Sequence, residues 1–186
     1  EMVSDAQQNL WIATEDGGVT ILDQQLKLHK ILNKNNGLSE NNVHAILPEN
    51  NGTVWIGTFR GGLNKIDTKT GAIAVFKPNE NKPNSISNNS VYAICRDQDG
   101  LLWIGTQSGL NLYDEKTDTW TLPFAKALGN KFIYDIHEDR EGHLWVATRY
   151  DGLYRLDRQR KQLKSYRTEQ IKGFKSNQFI GIYEDS

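Results

Sequence analysis

LWIGT, Leu102-Trp103-Ile104-Gly105-Thr106, returns with small changes three more times, as LWIAT at 10–14, VWIGT at 54–58 and LWVAT at 144–148. The tryptophans Trp11, Trp55, Trp103 and Trp145 are spaced by 44, 48 and 42 residues, the size of one propeller blade, although helical solenoid repeats reach similar periods. The residues inside one period decide between the two. In the second unit Val43 to Leu47 is followed by Asn50-Asn51-Gly52, Val54 to Thr58, Arg60-Gly61-Gly62, Leu63 to Asp67, Thr70-Gly71 and Ile73 to Phe76. Short β-branched and aromatic runs separated by Asn, Asp and Gly read as consecutive hairpins, so each period supplies four strands. The expected fold is all-β, a β-propeller of four-stranded antiparallel blades. About four blades are expected, at 1–33, 41–78, 89–125 and 131–168, with the first strand of a further blade at 177–186. Because an unclosed ring leaves two blade faces in water, these blades are expected to be an arc of a larger ring.

The repeated residues read as scaffold. A large aromatic fills the gap between two twisted sheets, which assigns the four tryptophans to packing between blades. Gly18, Gly62, Gly109 and Gly152 fall six or seven residues after them, in the turn leaving the Trp strand, where Gly supplies a positive φ. Asp23, Asp67, Asp114 and Asp157 close the next strand and are expected to cap turn amides. Four copies of one constellation argue against catalysis by these residues, since an active site needs one.

The units of the form D-x-x-G-x-LWIGT-x-x-G-L-x-x-x-D resemble the two-component regulator propeller repeat. Asp97 to Gly100 with Leu102 to Thr106, Gly109, Leu110 and Asp114 carry the likeness, as do Asp139 to Gly142 with Leu144 to Thr148, Gly152, Leu153 and Asp157. The second unit has Glu49 for the Asp, and the first has Gln8 where the others have Gly52, Gly100 and Gly142. The resemblance implies a sensor module on the periplasmic or extracellular side of a bacterial receptor, with binding there controlling an output domain such as a histidine kinase or diguanylate cyclase. It also implies self-association of propellers and no enzymatic activity or cofactor of the propeller's own.

Composition sets outer bounds. A net charge of −1 over 186 residues gives no global field to recruit nucleic acid or an anionic membrane, and no apolar run approaches the length of a membrane span. Residues 1–4 are expected to lie inside a blade already and not to form a signal peptide. The single cysteine, Cys95, stands where other units have Leu47 and His137 and reads as a small buried side chain. His29, His44, His137 and His143 show no zinc spacing; His44 shares its slot with Tyr92 and Tyr134 and is expected to line the channel or pack between blades. Asp97-Gln98-Asp99-Gly100 opens like a calcium loop, but Gly comes fourth and Ser108 takes the twelfth place, so a hairpin turn is expected and no metal site. The basic stretch Arg155 to Lys164 reads as a solvated outer hairpin.

Function is expected where the repeats differ. Connections into the innermost strands, 35–42, 84–90, 128–132 and 173–178, should share one face with the loops between second and third strands, 15–17, 59–61, 107–108 and 149–151. On that mouth lie Phe59, Arg60, Arg149, Tyr150, Lys131, Asn42 and Asn89. Guanidinium groups, an amine, amides and aromatic faces suit a small anionic or sugar-like molecule, such as an oligosaccharide. Two other readings stand beside a ligand sensor: a protein-interaction scaffold, and a propeller lyase or hydrolase.

Overall fold

Each period folds into one sheet in the computed structural model, which describes residues 1–82 and 84–185. Blade 1 consists of β1 (Met2–Ser4), β2 (Leu10–Ala13), β3 (Val19–Leu22) and β4 (Leu28–Leu32). Blade 2 holds β5 (Val43–Pro48), β6 (Thr53–Thr58), β7 (Gly62–Asp67) and β8 (Ile73–Phe76). Blade 3 holds β9 (Val91–Arg96), β10 (Leu102–Thr106), β11 (Gly109–Asp114) and β12 (Thr119–Thr121), and blade 4 holds β13 (Ile133–Glu138), β14 (Leu144–Thr148), β15 (Leu153–Leu156) and β16 (Leu163–Tyr166). Every sheet is antiparallel with its strands in sequence order. The first strand of each blade is innermost: β5 packs on β9 and β9 on β13, while β1 and β2 pack on β5. The all-β propeller architecture with four blades is as the sequence predicts.

The Trp motif is legible residue by residue. Each of Trp11, Trp55 and Trp103 lies on the second strand and is buried in the core shared with the next blade. The Gly of WIGT answers a close approach: a Cβ on Gly105 would lie 2.7 Å from Ile133 Cγ2 of blade 4, and one on Gly57 2.7 Å from Val91 Cγ1 of blade 3. The closing Thr is buried, and its hydroxyl donates to the carbonyl of the turn glycine, Thr58 to Gly62 at 2.8 Å and Thr106 to Gly109 at 3.0 Å. Gly62 has φ +90°, and a Cβ there would sit 2.2 Å from the Phe76 carbonyl oxygen, so no other residue fits. The capping aspartates behave as expected; Asp67 Oδ1 accepts from the amides of Lys69 and Thr70.

Asp5, Asp97 and Asp139, each six residues before a Trp, accept the indole N–H of that Trp at 2.8, 2.8 and 2.7 Å. The same carboxylates hold the first hairpin turn, as when Asp97 Oδ1 accepts the Leu101 amide, so the calcium-like tetrapeptide is a hairpin and an indole anchor. In blade 2 Glu49 is drawn away to Arg96, and Trp55 Nε1 is buried without a partner. Gln8 fills the place of the missing turn glycine by adopting φ +64°, a conformation that costs an L-residue more than Gly, and the first hairpin forms around it.

Two stretches differ from expectation. Residues 177–185 contain no strand. They dock on blade 4 much as β5 docks on blade 1: the Phe179 amide bonds the Thr148 carbonyl as Val43 bonds Thr14. A strand also needs a ladder partner, and this segment pairs with none among the described residues. The expected solvated hairpin at 155–164 is solvated only in part. Arg160, at φ +56°, turns inward to the carboxylates of Asp97 and Glu138 and is only 10% exposed.

Candidate functional site

The loops expected at one mouth do converge, and backbone hydrogen bonds stitch them together. The amides of Gly18, Gly62, Gly109 and Gly152 donate to the carbonyls of Asn41, Asn89, Lys131 and Asn177 at 2.7 to 2.9 Å, the first three acceptors lying in the loops that lead into the next innermost strands and the fourth at the start of the strandless segment 177–185. Beside these, Phe59 donates to Asn42, Gln107 to Ser90 and Arg149 to Phe132.

Beneath the loops, the innermost strands carry a repeated irregularity. The ladders of β5, β9 and β13 skip one residue each, at His44, Tyr92 and Tyr134. A bulge of this kind re-aims its side chain, and the three rings form a row: His44 stacks on Tyr92 with centroids 4.5 Å apart, and Tyr92 lies 5.6 Å from Tyr134. Phe132 joins at 4.5 Å from Tyr92, Tyr150 at 6.4 Å from Phe132, and Phe59 closes the other end 6.2 Å from His44. One continuous aromatic strip thus crosses blades 2 to 4.

A guanidinium stands at each end. Arg60 lies 4.8 Å from the centroid of the Phe59 ring, and Arg149 lies 5.2 Å from Phe132 and 5.3 Å from Tyr150. Both arginines are exposed, and the arginine ion pairs among the described residues are those of Arg96, Arg140, Arg160 and Arg167. Arg60 is held at φ +63°, a backbone state that for a non-Gly residue is often found at binding sites. Burial pushes the His44 imidazole below its ordinary pKa and raises the Tyr92 phenol, the latter opposed by Arg149 and Arg60. The strip is therefore uncharged near neutral pH between two cations.

Of the residues singled out from sequence, Phe59, Arg60, Arg149 and Tyr150 meet on this strip. Lys131 is engaged elsewhere, its amine 3.0 Å from Asp151, which also takes Arg167 at 2.9 Å. Asn89 is exposed and contributes its backbone carbonyl to Gly62. Asn42 does the same for Phe59, while its side-chain Oδ1 is buried without a partner. Sequence reasoning missed Tyr92, Phe132 and Tyr134 as site residues. The shared slot of His44, Tyr92 and Tyr134 was the available signal. Cys95 is partly buried, its thiol pushed up to about 12 by desolvation and by the nearby Glu138 carboxylate. No helix is long and apolar enough to cross a membrane among the described residues.

The family described as Two component regulator propeller matches residues 37–60, 85–108 and 127–150, each segment running from a mouth loop through the innermost and Trp strands of blades 2, 3 and 4. No curated protein matches the chain in sequence. Among solved structures, the extracellular domain assigned to the hybrid two component system BT3049 of B. thetaiotaomicron is similar over 100% of this chain and 24% of its own, at 24% identity and a TM-score of 0.83. The extracellular domain assigned to the one component system BT4673 of the same organism is similar over 90% of this chain and 23% of its own, at 25% identity and a TM-score of 0.72. Virginiamycin B lyase of Staphylococcus aureus shares the fold over 89% of this chain and 54% of its own, at 14% identity and a TM-score of 0.67. The chain spans about a quarter of the length of the two receptor domains. The two component regulator propeller repeat is thus matched in three of the four blades, and the remaining one, blade 1, has the same four-stranded form.

Proposed function

We propose that this chain is part of the ligand-sensing propeller of a bacterial signal-transduction receptor, carried on the periplasmic or extracellular side of the membrane and without catalysis of its own. The observation that carries the reading is the aromatic strip between Arg60 and Arg149, two guanidiniums without carboxylate partners among the described residues. Rings stack on the apolar face of a sugar or planar acid, and a guanidinium meets carboxylate or sulfate through two parallel hydrogen bonds. A small anionic or sugar-like ligand, of oligosaccharide type, would lie along the strip. Lys131 stands beside it as a third cation already balanced by Asp151, and Asn42 and Asn89 stand at its edge.

Rigid blades transmit little internal motion, so the ligand would act by its differential affinity for two arrangements of paired propellers. Isothermal titration of the chain against acidic oligosaccharides and small di-acids tests the site. For a ligand that binds, Arg60→Ala with Arg149→Ala is expected to weaken affinity by about tenfold or more, and Tyr150→Ala by a few-fold. Unchanged affinity in the double variant would place the ligand elsewhere.

A further inference from the structure

At the end of the molecule opposite the mouth, the three joints between consecutive blades fill the same space differently. Between blades 2 and 3, Trp55 lies among Phe76, Tyr113 and Trp120, with centroids 5.9 Å from Trp55 to Phe76, 5.8 Å to Tyr113 and 4.3 Å between Tyr113 and Trp120. Between blades 3 and 4, Arg160 bridges Asp97 and Glu138. Between blades 1 and 2, the register puts Leu32, Ile66 and Ile73 where the second joint has Phe76, Tyr113 and Trp120. With the smaller side chains there, a cavity of about 430 Å³ lies between the two sheets, floored by Trp11, Ile21, Leu32 and Ile66, a volume within the range of small-molecule sites.

The two carboxylates and the two ammonium groups around this cavity differ in how they are engaged. Asp5 is engaged by the amides of Gln7 and Asn9, the Asn9 side chain and the Trp11 indole, and Asp67 by two turn amides. Lys30 and Lys69 also line it, whereas the lysine ion pairs among the described residues are those of Lys34, Lys65, Lys82 and Lys131. The carboxylates are committed to hydrogen bonds within the fold, and the Lys30 and Lys69 amines make no ion pair among the described residues. We infer that this inter-blade cleft is a second binding site, separate from the mouth, for a small amphipathic anion with a flat apolar body and a carboxylate at one end. The floor removes the body from water, and Lys30 and Lys69 meet the charge. A cation would find no free carboxylate.

The test is two-dimensional NMR of the chain titrated with 2-naphthoate, read at the indole N–H signals of its five tryptophans. The expected result is a saturable shift confined among the indoles to Trp11, with the uncharged 2-naphthol binding at least about fivefold more weakly. Lys30→Met with Lys69→Met should weaken 2-naphthoate by about fivefold. Ile66→Tyr with Ile73→Trp, which imports the rings of the neighbouring joint, should weaken it by more than about tenfold. A Trp11 indole that stays put while the amides of Arg60 and Arg149 move would overturn the inference. So would equal affinity for 2-naphthol, or a ring-filled variant that binds like the parent. Should the ring-filled variant fail to fold, the lysine pair, at exposed positions, still decides: unchanged affinity there sinks the site.

Discussion

The joint between blades 2 and 3 and the joint between blades 3 and 4 share one backbone register and are sealed by different chemistry. At the second, Trp103 donates to the buried Asp97 carboxylate, which Arg160 approaches from blade 4. At the first, one added methylene in Glu49 carries the carboxylate out to Arg96, 2.7 Å from its Nε, and Trp55 is left with rings around it, Lys65 4.9 Å from its ring centroid, and no acceptor for its N–H. Both indoles are nonetheless almost completely buried. What the two joints keep in common is the shape of the ring in its gap; the polar anchor is replaceable.

That comparison can be broken in descending order of effect. Trp55→Ala and Trp103→Ala should each cost about 3 to 5 kcal/mol, as for other buried aromatics, measured from urea midpoints; a much smaller cost at Trp55 would mean that the polar anchor matters more than the ring. Arg160→Met leaves Asp97 and Glu138 buried without their cation and should cost about 3 kcal/mol. Arg96→Met, in a pair far more open to water, should cost under about 1 kcal/mol. Equal losses would erase the distinction between the joints. Phe shrinks the ring and leaves a cavity in either joint, so both Trp→Phe variants should lose stability; Trp103→Phe, which also removes a bond to a carboxylate, should cost about 2 kcal/mol more than Trp55→Phe, which removes an unpaired N–H. Glu49→Asp should return an acceptor to Trp55, seen as a downfield shift of its indole proton.

The smallest effect is on acid stability. Burial acts to raise the carboxyls of Asp5 and Asp139, but hydrogen bonds from Trp11 and Asn9, and from Trp145 and His143, outweigh it and hold both below the ordinary carboxylate range. A carboxyl depressed in the folded state stabilises fully above its unfolded pKa, near about 3.9, and the contribution is lost as pH falls through the folded value. Asp139→Asn should therefore be less stable than the parent at neutral pH and lose less as pH falls below about 4. Parallel losses in the two proteins would remove that linkage.

The scaffold was legible because each of its rules is local. Trp, the close-approach Gly, the capping Thr and the turn Gly recur at fixed offsets, and each answers one contact. The mouth was legible in part, since Phe59, Arg60, Arg149 and Tyr150 stand out as departures from the repeat. Tyr92, Phe132 and Tyr134 did not, because a ring on an inner strand looks like core until a bulge turns it, and a bulge is a matter of register between strands that residue types do not encode. Arg160 was hidden for a similar reason. Among the five basic residues of the stretch 155–164, only the backbone conformation shows which one points inward. The stretch 177–185 carries strand-like residues, but a strand is a relation between two segments.

The seams of the mouth join a backbone amide to a backbone carbonyl: Gly18 to Asn41, Gly62 to Asn89, Gly109 to Lys131, Gly152 to Asn177. Side chains on the accepting loops take no part in these bonds. The side chain at each accepting position can therefore change without breaking its seam, provided each turn keeps its glycine, and a lineage could alter the mouth at those positions while inheriting the same framework.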